Sequence, residues 1–257
     1  MGIKSKEGLG IQSVETAVKI LQTLVAHSTP ISLTEFAGLL GMSKSKLHRY
    51  LTSLCRMQLL IQSAETDLYA LGPRMIEWGL AAMDQYDLTA AAVPVMKNFV
   101  NKVDESIALA IWSDKGPLFV SVQKSTKQIN IGIRVGSYIP VSTSATGQVF
   151  AAYNRDDLRI RAFLEEECRV RGIPLDQVEQ ELHIVRQRGF GFTRGGVIQG
   201  LGAVAVPVLN HSCNTEGVLT LITVESSVST DRNHPLNVAL RESAQELSSL
   251  LGYRGRV

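Results

Sequence analysis

Lys44, Ser45, Lys46, His48, Arg49 and Thr52 fall in one short stretch, GMSKSKLHRYLT, that holds no acidic residue. Cationic and hydroxyl groups at this spacing suit the recognition of phosphates and base edges. If Ser43 caps a helix here, its free first-turn amides would also favour an anion. A solvated basic surface helix has the same charge, so charge alone leaves both readings open. A second constellation is STSATGQV, in which Ser144, Ala145, Thr146 and Gly147 place small residues and free backbone N–H groups at a helix start. That arrangement suits an anionic head group. It equally suits a plain N-capped helix packed through small side chains.

Other residue sets exclude chemistry. GFGFTRGGVIQGLG is rich in glycine, but its spacing is not GxGxxG, and a strand-like run follows it rather than a helix. His27, His48, His183, His211 and His234 show no metal-ligand spacing, and His211 with Cys213 is one weak pair inside a turn. The acids Glu165 to Glu167 sit in a helical run and are expected to form a solvated face. No nucleophile–base pair emerges. We therefore expect no enzyme, no cofactor and no metal.

The elements that position the first constellation are legible. Val14, Ala17, Val18, Leu21, Leu24 and Val25 form a helical stripe behind a cap at Ser13. SLTE, Ser32 to Glu35, is a capping-box pattern that opens a second helix through Leu40. Gly41 stops it. Ser43 then caps a third helix with Leu47, Leu51 and Leu54 inward. Small Ala37 lets the two helices approach, and apolar Leu47 locks the pair. LLIQSAETDLYAL reads as strand, turn, strand, with Gln62, Ser63, Thr66 and the backbone near Asp67 at its tip. Three helices and a hairpin outline a winged helix-turn-helix, and that context favours DNA over the bland reading.

Beyond it, GPRMIEWGLAAMDQYDL reads as a linker helix, and a further helix is expected from about Thr89 to Val103, with Pro94 in or near its first turns. Strand signals follow in SIALAIW, PLFVSVQ and INIGIRV, helical ones in TGQVFAAY, DDLRIRAFLEEECRV and LDQVEQELHIVRQRG, and strands again in GAVAVPVLN and GVLTLITVE. NVALRESAQELSSLLGY closes the chain as an amphipathic helix. The pattern predicts an α+β second domain with a mixed or antiparallel sheet.

The totals agree. The chain has 257 residues, 45% hydrophobic and 19% charged, and fits one large or two ordinary globular domains. The net charge of +2 demands no polyanionic partner, but residues 1–60 carry a local excess of about +4, and no Asp or Glu occurs from Phe36 to Ala64. Cys55, Cys168 and Cys213 suggest no disulfide framework and fit a reducing, cytoplasmic compartment. No signal peptide, membrane span or membrane partner is expected.

Taken in order, SVETAVKILQTL, ISLTEFAGLLGMSKSKLHRYLTSL, YALGPRMIEWG, IGIRVGSYIPVSTSATGQVFAAY and VRQRGFGFTRGGVIQGLGAVAVPV resemble the segments of IclR-family transcriptional regulators, over about residues 11–250. A flexible tail is expected at 1–10, and the resemblance implies a winged helix-turn-helix domain at 11–72, a linker helix at 73–88 and a GAF/PAS-like effector-binding domain at 89–257. It implies double-stranded operator DNA, a small-molecule effector and a homo-oligomer, dimer or tetramer, as partners. Ser45, Lys46, His48 and Arg49 match the recognition helix, and STSATGQV matches a pocket loop. Several positions depart from the polar form of that pocket. Thr193 stands where an aspartate is frequent, Gly195 and Gly196 replace an acid, Ala203 replaces a cysteine, and Ile222 and Val224 fall near serines of other members. The expected effector is therefore larger and more apolar than a small keto acid, such as an aromatic acid. Ile107, Leu109, Ile111, Ile131 and Ile133 are candidate walls. A DNA-binding regulator without ligand sensing, a GAF-like enzyme and an interaction module are the alternatives.

Overall fold

The computed structural model describes residues 10–27, 29–84, 87–127 and 133–255. The chain divides into two compact units between Tyr86 and Asp87.

The first unit contains α1 (Gln12–His27), α2 (Leu33–Leu40), α3 (Lys44–Arg56), β1 (Leu60–Gln62), β2 (Tyr69–Leu71) and α4 (Pro73–Asp84). Helix α2 begins where the Ser32 hydroxyl accepts the Glu35 N–H at 3.3 Å. It ends at Gly41, whose φ of 61° is left-handed and lets the Met42 N–H reach the Ala37 carbonyl at 3.0 Å. That turn aims the next helix, and Ser43 starts it by accepting the Lys46 N–H at 3.4 Å. Leu47, Leu51 and Leu54 of α3 pack with Ile20, Phe36 and Tyr69 in one apolar core. Truncating Leu47 or Leu51 to alanine would cost about 2–5 kcal/mol, because both are fully buried. β1 and β2 form an antiparallel hairpin with Leu60 opposite Leu71 and Gln62 opposite Tyr69, and an isolated bridge from Ile31 to Tyr69 ties it to the helices. This is the winged helix-turn-helix.

The expected linker helix at 73–88 differs in extent. α4 is described only to Asp84, and Leu88 already belongs to the next helix, which Asp87 caps by accepting the Thr89 and Ala90 amides at 2.8 and 3.2 Å.

The second unit contains α5 (Leu88–Val103), β3 (Ser106–Ser113), β4 (Gly116–Gln123), α6 (Ala145–Tyr153), α7 (Leu158–Arg171), α8 (Leu175–Arg188), β5 (Gly191–Arg194), β6 (Leu201–Leu209), β7 (Thr215–Val224) and α9 (Pro235–Leu250). The strands form one sheet in the order β4-β3-β7-β6-β5, and all four pairings are antiparallel. Alternation sends successive side chains to opposite faces. Ile107, Leu109, Val204, Val206, Leu219 and Leu221 pack with α5 and α9. Ala108, Ala110, Ala205 and Val218 face α6, α7 and α8. Alanines on that face let α6 lie close to the sheet, and α6 is buried from Ala145 to Ala152.

The strands differ from expectation at two places. INIGIRV spans residues 129–135, of which 129–132 lie outside the described residues, and Ile133 to Val135 are not strand. GFTR, which carried no strand expectation, forms the edge strand β5. It is too short for its alternation to stand out.

Candidate functional site

Helix α3 presents two distinct faces. Leu47, Leu51 and Leu54 are buried, while Ser43, Lys44, Ser45, Lys46, His48, Arg49 and Thr52 are all exposed. Among the described residues, none of Lys44, Lys46, Arg49 and Arg56 pairs with a carboxylate. Their charge is available to an outside anion. The Thr52 hydroxyl donates to the His48 carbonyl at 2.9 Å, so toward a partner Thr52 offers chiefly an acceptor. At the hairpin tip the Ser63 hydroxyl accepts the Glu65 and Thr66 amides at 3.3 and 3.2 Å, and Asp67 takes a φ of 56°. Glu65 and Asp67 are exposed there, which makes the wing acidic rather than basic.

The second site lies where the sheet meets the start of α6. A cavity of about 170 Å³ opens there, floored by Thr146, Thr193, Ala203, Thr220 and Ile222. Strand register explains the floor. Thr193 pairs with Ala203, and Ala203 with Ile222, so three residues distant in sequence form one row across β5, β6 and β7. Ser144, Ala145 and Thr146 supply the helix start, and Ile133 one wall. Ser144 caps α6 by accepting the Gly147 N–H at 2.9 Å, while the first-turn amides of Ala145 and Thr146 have no intrahelical acceptor. The Thr146 and Thr220 hydroxyls bond to each other at 2.8 Å. Among the described residues, no Asp, Glu, Lys, Arg or His lines the cavity. Such a site offers hydrogen bonds and a positive helix end to an anion, with apolar walls for the rest of a ligand.

Five expected pocket residues do not stand there. Ile107 and Leu109 point to the opposite face of the sheet, against α5 and α9, and by alternation Ile111 shares that face. Val224 does not line the cavity, although Leu201, opposite it on β6, does. Gly147 does not line it either: a Cβ there would lie 2.3 Å from the Val141 Cα, so its role is close packing. Ile131 lies outside the described residues. The sequence reading missed Thr220, Tyr138, Val197 and Ile198. Thr220 was findable, since it lies two residues from Ile222 on the same strand face. Val197 and Ile198 sit in a glycine-rich loop with no periodicity to place them.

A larger groove of about 410 Å³ runs between α7 and α8, but the ion pairs of Arg161 with Glu165 and Glu179 occupy its wall. In the smaller cavity, by contrast, helix-start amides and hydroxyls converge.

A winged helix-turn-helix with an exposed basic α3, followed by a ligand-pocket domain, defines a DNA-binding transcriptional regulator. Residues 13–64 match the IclR helix-turn-helix domain, and residues 80–249 match the bacterial transcriptional regulator IclR C-terminal domain. The chain belongs to the IclR family of transcriptional regulators. It is 27% identical to HTH-type transcriptional regulator XynR of Escherichia coli (strain K12), over 95% of this chain and 98% of that one. It is 24% identical to HTH-type transcriptional regulator KipR of Bacillus subtilis (strain 168), over 93% and 98%. The crystal structure of Pseudomonas aeruginosa HmgR matches with a TM-score of 0.87 and 30% identity, covering 96% of this chain and 100% of that one. Among the described residues, no helix is long and apolar enough to cross a membrane.

Proposed function

We propose that this regulator reads operator DNA with Ser45, Lys46, His48 and Arg49 of α3 at base edges. Ser43 and Lys44 contact the phosphate backbone, Thr52 faces the DNA as an acceptor for base-edge donors, and a small carboxylic acid bound at the α6 cavity modulates the affinity. The first half is supported by the exposed, unpaired cations in the opening turns of α3, where a recognition helix enters the major groove. Two copies would set two such helices about 34 Å apart on successive grooves. Exposed Ile11 just before α1, Val14 and Val18 on α1, and Ile76 and Trp78 on α4 supply apolar surface for that pairing.

The observation that carries the effector class is the cavity itself. An apolar cavity of about 150 Å³ holds benzene, and this one is about 170 Å³ with no acidic or basic lining among the described residues. The reading is a monocyclic aromatic carboxylate, or an aliphatic acid of similar bulk, with its carboxylate toward the Ala145 and Thr146 amides. Titration calorimetry of the full chain with benzoate and phenylacetate, against pyruvate and glyoxylate, tests it. Binding of the ring acids supports the reading; binding of the small hydrophilic acids alone overturns it. Footprinting on genomic fragments tests the DNA half, with protection of a short promoter segment expected. Protection indifferent to every bound acid would favour a regulator that does not sense ligand.

A further inference from the structure

The run Glu165 to Glu167 is not the uniform solvated face expected of it. Glu165 and Glu166 are exposed and pair with Arg161 and Arg169. Glu167 turns inward, with its side chain 13% exposed. One of its carboxylate oxygens accepts the Val141 N–H at 2.9 Å. The other accepts the Ser142 N–H at 3.0 Å and the Ser142 hydroxyl at 2.5 Å. The Arg171 guanidinium stands 3.3 Å away and offsets the charge.

The segment it grips leads straight into the cavity. The Ser144 hydroxyl donates to the Pro140 carbonyl at 2.5 Å while accepting the Gly147 amide. Gly147 packs against Val141 with no room for a side chain. The shape of residues 140–144 therefore fixes where the first amides of α6 point. Val141 and Ser142 are buried, so their amides have little recourse to water if the carboxylate is removed.

We propose that Glu167 is a positioning residue for the ligand site: from α7 it holds the Val141–Ser144 segment in the shape that presents the α6 amides to an anion. This rests on the reading of the cavity given above. Glu167 does not itself line the cavity, so its effect on a ligand is indirect. A carboxylate suits the task because it is acceptor-only and can take all three donors, whereas an amide would turn an N–H toward one of them.

The test compares the full chain with Glu167→Ala and Glu167→Gln. Amide hydrogen exchange is followed at Val141, Ser142, Ala145 and Thr146, and benzoate and benzamide are the probes. Glu167→Ala is expected to speed exchange across these amides and to weaken benzoate about tenfold, the loss of one charge-assisted hydrogen bond. Benzamide, which carries no charge for the amides to meet, should lose less. Glu167→Gln should fall between, which keeps the test alive if the alanine variant folds poorly. Unchanged exchange in both variants overturns the proposal. So does faster exchange with undiminished benzoate affinity, or an equal loss for both probes, which a merely structural role predicts. If the wild type binds no benzoate, the reading of the cavity fails, and the exchange of the Ala145 and Thr146 amides then decides the clamp by itself.

Discussion

The hydroxyls of Thr146 and Thr220 meet at 2.8 Å, joining the first turn of α6 to the central strand β7 at the floor of the cavity. Both residues are buried, at 2% and 1% exposure. Each hydroxyl is therefore the other's chief partner among protein groups, and the pair fixes the separation of helix and sheet at the cavity proposed to hold the ligand.

Removing one partner should cost more than removing both. Thr220→Val keeps the side-chain shape but leaves the Thr146 hydroxyl unsatisfied, for an expected loss of about 1–3 kcal/mol. Thr146→Val should behave alike, and the double variant should lose less than the two singles added together. Denaturant titration of the four proteins measures the coupling. Strict additivity would show that the two hydroxyls do not depend on one another.

The cations of α3 should separate by role. Arg49→Ala is expected to lower operator affinity by about 1–3 kcal/mol and relax the sequence preference, as loss of a base contact does. Lys44→Ala should weaken binding to all DNA and reduce the salt slope by about one. Fluorescence titrations across salt concentrations, on specific and random duplexes, distinguish the two. Ligand affinity should be unchanged in both variants. An Arg49→Ala protein with normal operator affinity would refute its assignment.

Asp104 gives the second unit an acid-sensitive point. It caps the end of α5 with a φ of 48° and accepts the Thr126 N–H at 2.8 Å. That backbone hydrogen bond, helped by the Thr126 and Ser125 hydroxyls and the Lys127 charge, holds its carboxyl below the ordinary value. A depressed folded-state pKa stabilises the fold when the group is ionised. The contribution is complete above the unfolded pKa, near about 3.9. It is lost as pH falls through the folded value. Asp104→Asn should therefore flatten the dependence of stability on pH below about 4 and leave its shape near neutrality unaltered. Thermal melts at stepped pH measure this, and parallel curves for the two proteins would contradict it.

The DNA-binding half was legible because its rules are local. Ser32 and Ser43 cap helices through their own hydroxyls, Gly41 stops one through its left-handed backbone, and Leu47, Leu51 and Leu54 recur at helical spacing. The cavity was legible only in part. Thr193, Ala203 and Ile222 were singled out as separate positions, but their meeting in one row depends on strand order and register. The opposite fate of Leu109 has the same origin, since alternation shows that one set of residues shares a face but not which face borders the ligand. Glu167 was misread because its neighbours Glu165 and Glu166 do sit in solvent. Only the packing of α7 against residues 140–142 turns the third acid inward.

The proposed coupling of cavity to operator is most directly tested by filling the cavity. Ala203 sits between Thr193 and Ile222 on its floor, and Ala203→Phe places a ring where the ligand would lie. Operator affinity is measured for wild type and variant, with and without the tightest-binding acid of the calorimetric screen. The wild type should change affinity about fivefold or more on adding the acid, as coupling between two sites requires. The variant should bind the operator equally with and without it. A variant that responds as fully as the wild type would contradict the assignment of the α6 cavity as the effector site.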